Sequence, residues 1–335
     1  MTSDTLGRPI RDLRISVTDR CNFRCTYCMP AEIYGDRYRF LPKAELLSFE
    51  EIARLTRLIV GLGAVKVRLT GGEPLVRSGL EALARMLDGI EGVHDLALTT
   101  NGYLLPQMAA ELSNAGVKRI TVSLDTLDDD IFRGMNGRGF GTESVLKGIE
   151  AAEQAGFSPL KINSVVQRGV NDHTIVDLAR HFKERGHTVR FIEYMDVGTR
   201  NQWELSQVVP ADEIVAMIDA EMPLEPVDAS YKGEVAKRYR YRDGGGEIGI
   251  IASVTMPFCG DCTRLRLSPE GSIYTCLFSS TGTDLRGPLR EGATDEEIVA
   301  TLRRTWSGRA DRYSEERASL TEPRRQKVEM YHIGG

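Results

Sequence analysis

Six apolar runs rich in β-branched residues recur along the first two-thirds of the chain, with helical patterns between most of them. The runs are LRISVT (Leu13–Thr18), VKVRLT (Val65–Thr70), DLALTT (Asp95–Thr100), RITVSL (Arg119–Leu124), LKINSVV (Leu160–Val166) and VRFIEYM (Val189–Met195). SFEEIARLTRLIVGLG opens with Ser48 and Glu51 in capping-box spacing and stops on Gly61 and Gly63. A hydroxyl and a carboxylate at that spacing satisfy free backbone N–H groups at a helix start. LPQMAAELSNAG and ESVLKGIEAAEQAG also stop on glycine, the residue that most readily turns out of a helix. HTIVDLARHFKERG completes the set. Parallel strands need a crossover and a helix supplies it, so this alternation predicts parallel βα units.

Six units fall short of a closed eight-unit barrel and leave an incomplete barrel or an open doubly wound sheet. The strand ends favour the barrel. Cys21 follows the first strand, and TGGEP, TTNG, SLD, KINS and EYMD sit at the ends of the later ones. A ring of polar residues at strand C-termini is where a βα barrel builds its site. After Met195 the rhythm breaks, which divides the chain into residues 1–200 and 201–335. In the second part a helix is expected after Pro210. Two strands are expected around Gly244–Gly246, a hairpin in TRLRLSPEGSIYTC, and a helix capped by Thr294 with Glu297.

All six cysteines fall in two groups of three: Cys21, Cys25 and Cys28, then Cys259, Cys262 and Cys276. The N-terminus has no apolar h-region and no stretch approaches a membrane span, so a cytoplasmic location and reduced thiols are expected. Closely spaced reduced thiols point to metal ligation. Structural zinc takes four ligands, and neither group has a fourth nearby; His332 could serve the second only if the tail folds back. An iron–sulfur cluster with one open iron needs no fourth thiol if a substrate or cofactor supplies that bond. The formal net charge of −5 argues against wholesale nucleic-acid or membrane binding. Any anion site must come from a local cluster of Lys and Arg.

Cys21-x3-Cys25-x2-Cys28, with Tyr27 before the third cysteine and TGGEP one strand later, resembles the signature of radical S-adenosylmethionine (SAM) enzymes. With the second three-Cys group and the terminal Gly334-Gly335, the chain resembles the GTP 3′,8-cyclase (MoaA) family. The likeness runs from GRPIRDLRISVTDRCNFRCTYCMP to MYHIGG, through LTTNGYLL, VSLDT, VQRGVND, RFIEYMDVG and GEVAKRY. It implies an incomplete TIM-type (βα)6 radical SAM barrel, of α/β class, with a C-terminal α+β extension closing the open side. It implies two 4Fe–4S clusters, one on Cys21, Cys25 and Cys28 and one on Cys259, Cys262 and Cys276. SAM is assigned to Tyr27, Gly72, Ser123 and Met195, and GTP to Arg14, Arg68, Thr99, Lys161, Arg264 and Arg266, with Lys66 and Arg190 as further candidates. Catalytic roles fall to Arg14, Arg264, Arg266, Gly334 and Gly335, the last two reaching into the pocket behind Arg324, Arg325 and Lys327.

The implied reaction is the first step of molybdenum-cofactor biosynthesis. A 5′-deoxyadenosyl radical takes the C3′ hydrogen of GTP, C3′ attacks guanine C8, and 3′,8-cyclo-7,8-dihydro-GTP forms. The second cluster binds the guanine through its open iron. A flavodoxin- or ferredoxin-like protein supplies electrons, and cyclic pyranopterin monophosphate synthase receives the product. The assembly state is open, a homodimer included. Two other readings stand beside this one: a radical SAM enzyme for a peptide or another small molecule, which would not need the basic set, and a zinc-dependent nucleic-acid module using the C-terminal cysteines and basic tail.

Overall fold

The computed structural model describes residues 2–231, 233–317 and 326–335. Arg324 and Arg325 lie outside the described residues. The six apolar runs form β1 (Asp12–Ser16), β2 (Lys66–Thr70), β3 (Asp95–Thr100), β4 (Arg119–Ser123), β5 (Lys161–Val166) and β6 (Thr188–Glu193). They lie side by side in chain order, each parallel to the next. The connecting helices are α1 (Phe49–Val60), α2 (Leu80–Asp88), α3 (Leu105–Asn114), α4 (Asp129–Asn136), α5 (Thr142–Gln154) and α6 (Ile175–Glu184).

Side-chain alternation decides what each strand gives to either side. Leu13, Ile15, Val67, Leu69 and Ile162 are fully buried in the shell shared with the helices. Arg14, Arg68 and Lys161 alternate with them and line the interior. The helices answer with Leu55 and Ile59 of α1, Leu83 and Leu87 of α2, and Leu178 and Phe182 of α6, all fully buried. Each such burial contributes about 1.5–3 kcal/mol. The expected cap of α1 is present: Glu51 N–H donates to Ser48 Oγ at 3.1 Å, and Ser48 N–H to the Glu51 carboxylate at 2.7 Å.

The C-terminal part does more than cover the open side. It contributes α7 (Ala211–Glu221), β7 (Leu224–Val227), β8 (Lys237–Tyr241), β9 (Glu247–Ile251), β10 (Arg264–Leu267), β11 (Ser272–Tyr274) and β12 (Thr283–Asp284). β9 pairs parallel with β6, and β10 pairs parallel with β1, so the sheet is extended from both edges. Among the described residues it runs β12-β11-β10-β1-β2-β3-β4-β5-β6-β9-β8-β7. The expected hairpins are β8–β9 and β10–β11. Then come α8 (Arg286–Arg290), α9 (Asp295–Ser307, capped by Thr294 and Glu297), α10 (Tyr313–Glu316) and α11 (Met330–Ile333). The sequence patterns above do not mark α2, α4, β7, β12, α8, α10 or the short α11. Among the described residues no helix is long and apolar enough to cross a membrane.

Candidate active site

The inner face of the sheet encloses a chamber of about 450 Å³. All six cysteines line it, none in a disulfide, together with Arg14, Tyr27, Arg68, Gly72, Thr99, Ser123, Lys161, Met195, Arg264, Arg266 and Gly335. Thus the fold gathers both three-Cys groups, the basic set and the chain terminus around one space.

The first cysteine loop is stitched to TGGEP by its backbone. Val17 N–H donates to Thr70 O at 2.9 Å, Gly72 N–H to Thr18 O at 2.8 Å, and Glu73 N–H to Arg20 O at 2.8 Å. Gly72 is glycine for this reason: a Cβ there would stand 2.4 Å from Arg20 O. The Arg24 guanidinium reaches back to Tyr34 O at 2.5 Å and Cys21 O at 2.7 Å, fixing the far side of the loop. Burial pushes the Cys21 thiol up to about 12. Burial first, then neighbouring charges, also pushes the Cys25 and Cys28 thiols well up. Without a metal these thiols keep their protons, so binding one must release them.

Two carboxyls hold this end together. Glu73 accepts from Leu75 N–H, Thr100 Oγ1 and Asn101 N–H, tying TGGEP to TTNG. Asp125 accepts from the Tyr27 hydroxyl at 2.9 Å and Val165 N–H at 2.9 Å, and burial pushes it up to about 6. In the sequence both stand out only as parts of strand-end motifs.

The floor is cationic. Arg14 of β1 sits in register with Arg68 of β2 on one side and Arg266 of β10 on the other. Burial first, then Arg264 and Arg68, pulls Arg14 down to about 9. Burial and the neighbouring cations pull Arg68 and Arg190 to about 10 and Lys161 to about 8. Arg68 donates to Thr99 Oγ1 at 3.0 Å and Thr121 Oγ1 at 3.2 Å, and Arg190 also reaches Thr121 at 3.2 Å. Arg190 Nε is buried and has no hydrogen-bond partner among the described residues. Like charges in register oppose folding unless something neutralises them. A bound polyanion would neutralise them.

At the second cysteine group the balance changes. Arg264 Nε donates to Cys262 Sγ at 3.2 Å. Burial alone would raise the Cys262 thiol, but Arg264 and Arg309 outweigh it and bring it down to about 6. His332 does fold back with the tail, yet its imidazole meets Glu270 at 2.9 Å rather than a cysteine. The tail itself enters the chamber. Arg266 Nη1 donates to Gly334 O. A Cβ at Gly334, where φ is +76°, would stand 2.3 Å from Thr70 Cγ2.

Residues 15–182 match the Radical SAM superfamily and residues 187–315 match Molybdenum Cofactor Synthesis C. The GTP 3′,8-cyclase of Acidothermus cellulolyticus is 51% identical over 356 residues, spanning 99% of this chain and 98% of its own. The chain belongs to the GTP 3′,8-cyclase family. That family's Xanthomonas campestris pv. campestris member is 52% identical over 332 residues, covering 99% of this chain and 97% of its own. The radical SAM fold is shared with the solved structure of polyhistidine-tagged anSMEcpe with bound AdoMet, at TM-score 0.50 and 18% identity over 63% of this chain and 58% of that one.

Radical SAM membership of the cyclase family implies SAM and a 4Fe–4S cluster. The residues fit. Three free thiols share one loop and face the chamber, with no fourth thiol beside them among the described residues. Among the described residues no three His, Cys, Asp or Glu converge tightly enough for a single metal ion. A cluster asks for something else, because its thiolates sit on separate irons.

Proposed function

We propose that this protein is a GTP 3′,8-cyclase that forms 3′,8-cyclo-7,8-dihydro-GTP in the first step of molybdenum-cofactor biosynthesis. The observation that carries the reading is the single chamber, where two three-thiol groups open onto a floor of arginines set side by side on neighbouring strands. A radical SAM enzyme for a neutral small molecule or a peptide has no use for that floor.

Cys21, Cys25 and Cys28 would hold a 4Fe–4S cluster, with Tyr27, Gly72, Ser123 and Met195 around SAM. Cys259, Cys262 and Cys276 would hold a second cluster for the guanine end of the substrate. When bound, these groups would supply a 5′-deoxyadenosyl radical, formed by one electron entering SAM, that takes the C3′ hydrogen of the ribose; C3′ would then bond to guanine C8 as the C8=N7 π bond opens, and one further electron and a proton at N7 would complete the product. The chain's own residues do the positioning. Arg14, Arg68 and Lys161, with Thr99, hold the anionic part of GTP, and Lys66 and Arg190 stand on the same strands to join them. Arg264 serves both GTP and the Cys262 thiolate. Arg266 binds substrate and the Gly334 carbonyl, which places the Gly-Gly end against the reacting ligand. The barrel wall keeps water and other hydrogen donors from the radical.

In this reading residues 1–200 carry the radical-forming cluster and the strands that hold the anionic part of GTP, and residues 201–335 carry the second cluster and the Gly-Gly tail. A flavodoxin- or ferredoxin-like donor supplies electrons, and cyclic pyranopterin monophosphate synthase takes the product. The test is anaerobic reconstitution with iron, sulfide, SAM and a one-electron reductant, against GTP, ATP, GDP and GMP. GTP is expected to give the most 5′-deoxyadenosine together with a cyclised nucleotide. If GTP gave neither while another substrate gave 5′-deoxyadenosine, the cyclase assignment would fail.

A further inference from the structure

One buried carboxylate joins parts of the chain that the reaction needs together. Asp196 is 2% exposed and directly follows Met195 in the loop after β6. Met195 and Val197, on either side of it, line the chamber. Its carboxylate accepts from the Tyr313 hydroxyl, from Arg317 Nε at 2.9 Å and from Lys327 Nζ at 2.7 Å. Lys327 also donates to the Asp196 carbonyl at 2.6 Å.

The cations have aromatic walls. Phe278 and Tyr313 stack with centroids 4.5 Å apart. Lys327 Nζ stands 4.4 Å from the Tyr313 centroid and 5.2 Å from that of Phe278, and Arg317 lies 5.4 Å from Phe278. Phe278 is two residues past Cys276, and its N–H points at Cys276 Sγ at 3.5 Å. So the cations that grip this carboxylate also pack on the segment carrying Cys276, and they tie it to the loop carrying Met195 and the start of the tail.

From Lys327 the tail runs inward. Val328 N–H donates to Ser279 O at 2.9 Å, and the Glu329 carboxylate accepts from Thr199 N–H at 3.0 Å and its hydroxyl at 2.9 Å. Six residues past Glu329 the chain ends in the chamber at Gly335. Lys327 is 6% exposed, so its charge rests on protein partners, Asp196 and the two rings among them, rather than on water.

We propose that the Asp196–Lys327 ion pair is a clasp. It sets the entry of the C-terminal tail, so that Gly334 and Gly335 reach the substrate, and thereby couples radical formation to ring closure. Both are positioning residues. The coupling rests on the function proposed above; the clasp itself does not.

The full-length, cluster-reconstituted protein is compared with Lys327→Met and with Lys327→Arg, which keeps the charge. The first readout is amide hydrogen exchange. Exchange across residues 326–335 is expected to be roughly tenfold faster in Lys327→Met and near wild type in Lys327→Arg, with β1–β6 unchanged. Asp196→Asn is expected to move in the same direction as Lys327→Met. The second readout is 5′-deoxyadenosine formed per cyclised nucleotide from GTP, with a chemical reductant. That ratio is expected to rise about threefold or more in Lys327→Met and to return towards wild type in Lys327→Arg.

Unchanged tail exchange in Lys327→Met would overturn the clasp. Faster exchange spread over the whole barrel would overturn it too, since that marks a purely structural residue. Product and 5′-deoxyadenosine falling together at a constant ratio would overturn the coupling. If the wild-type protein made no cyclised nucleotide, the functional reading would fail and the exchange data would still decide the clasp.

Discussion

Glu73 shows what a single residue does when a motif meets a fold. It is 1% exposed and accepts from Leu75 N–H at 3.0 Å, Thr100 Oγ1 at 2.8 Å and Asn101 N–H at 2.7 Å. Burial still wins over these donors and pushes the carboxyl up from 4.5 to about 7. A carboxyl raised in the folded chain holds its proton more firmly there than in the unfolded chain. Its contribution is therefore undiminished below about pH 4.5, falls as the pH rises towards about 7, and then levels off. The fall is on the order of 3 kcal/mol. Glu73→Gln is expected to remove this slope, whatever constant offset it adds, in urea midpoints of the cluster-free protein taken from about pH 5 to 8. A slope unchanged by the substitution would contradict it. The cysteines and arginines were legible because their type alone carries chemistry. Glu73, Asp125 and Asp196 were not, because their partners lie 27, 98 and 131 positions away at Thr100, Tyr27 and Lys327.

At the scale of elements, the helix stops, the capping boxes and the period-two alternation were readable because each is local. Alternation correctly put Arg264 and Arg266 on one side of β10, and both line the chamber. Register was not readable. That Arg14, Arg68 and Arg266 stand in one row follows only from β10 pairing with β1, a contact between strands some 250 positions apart in the chain. The row has a measurable consequence. Three guanidiniums side by side destabilise the ligand-free protein, and a polyanion relieves that. Arg14→Met is therefore expected to raise the stability of the GTP-free protein by about 1–3 kcal/mol. The same change should weaken GTP binding roughly tenfold to a hundredfold, the cost of a lost charge-assisted contact. Thermal melts with and without GTP measure both effects. A variant less stable without GTP and unchanged in affinity would show that Arg14 serves packing.

For the whole molecule, the sequence supplied six βα units and an extension but not how they join. The extension inserts a parallel strand at each edge, β9 beside β6 and β10 beside β1, and so carries Arg264, Arg266 and the second cysteine group to the first. The C-terminal tail then returns to the same chamber, where Arg266 meets Gly334. These are pairings between distant segments, fixed by how sheet edges and buried charges find partners, and no local pattern announces them. The resulting arrangement makes one central claim: a radical formed near Cys21, Cys25 and Cys28 acts on GTP held by the arginine floor. GTP deuterated at C3′ tests it most directly, in an anaerobic reaction with SAM and a reductant. Deuterium is expected in the 5′-deoxyadenosine, together with a nucleotide carrying a new C3′–C8 bond. Formation of 5′-deoxyadenosine without deuterium, alongside unchanged GTP, would contradict it.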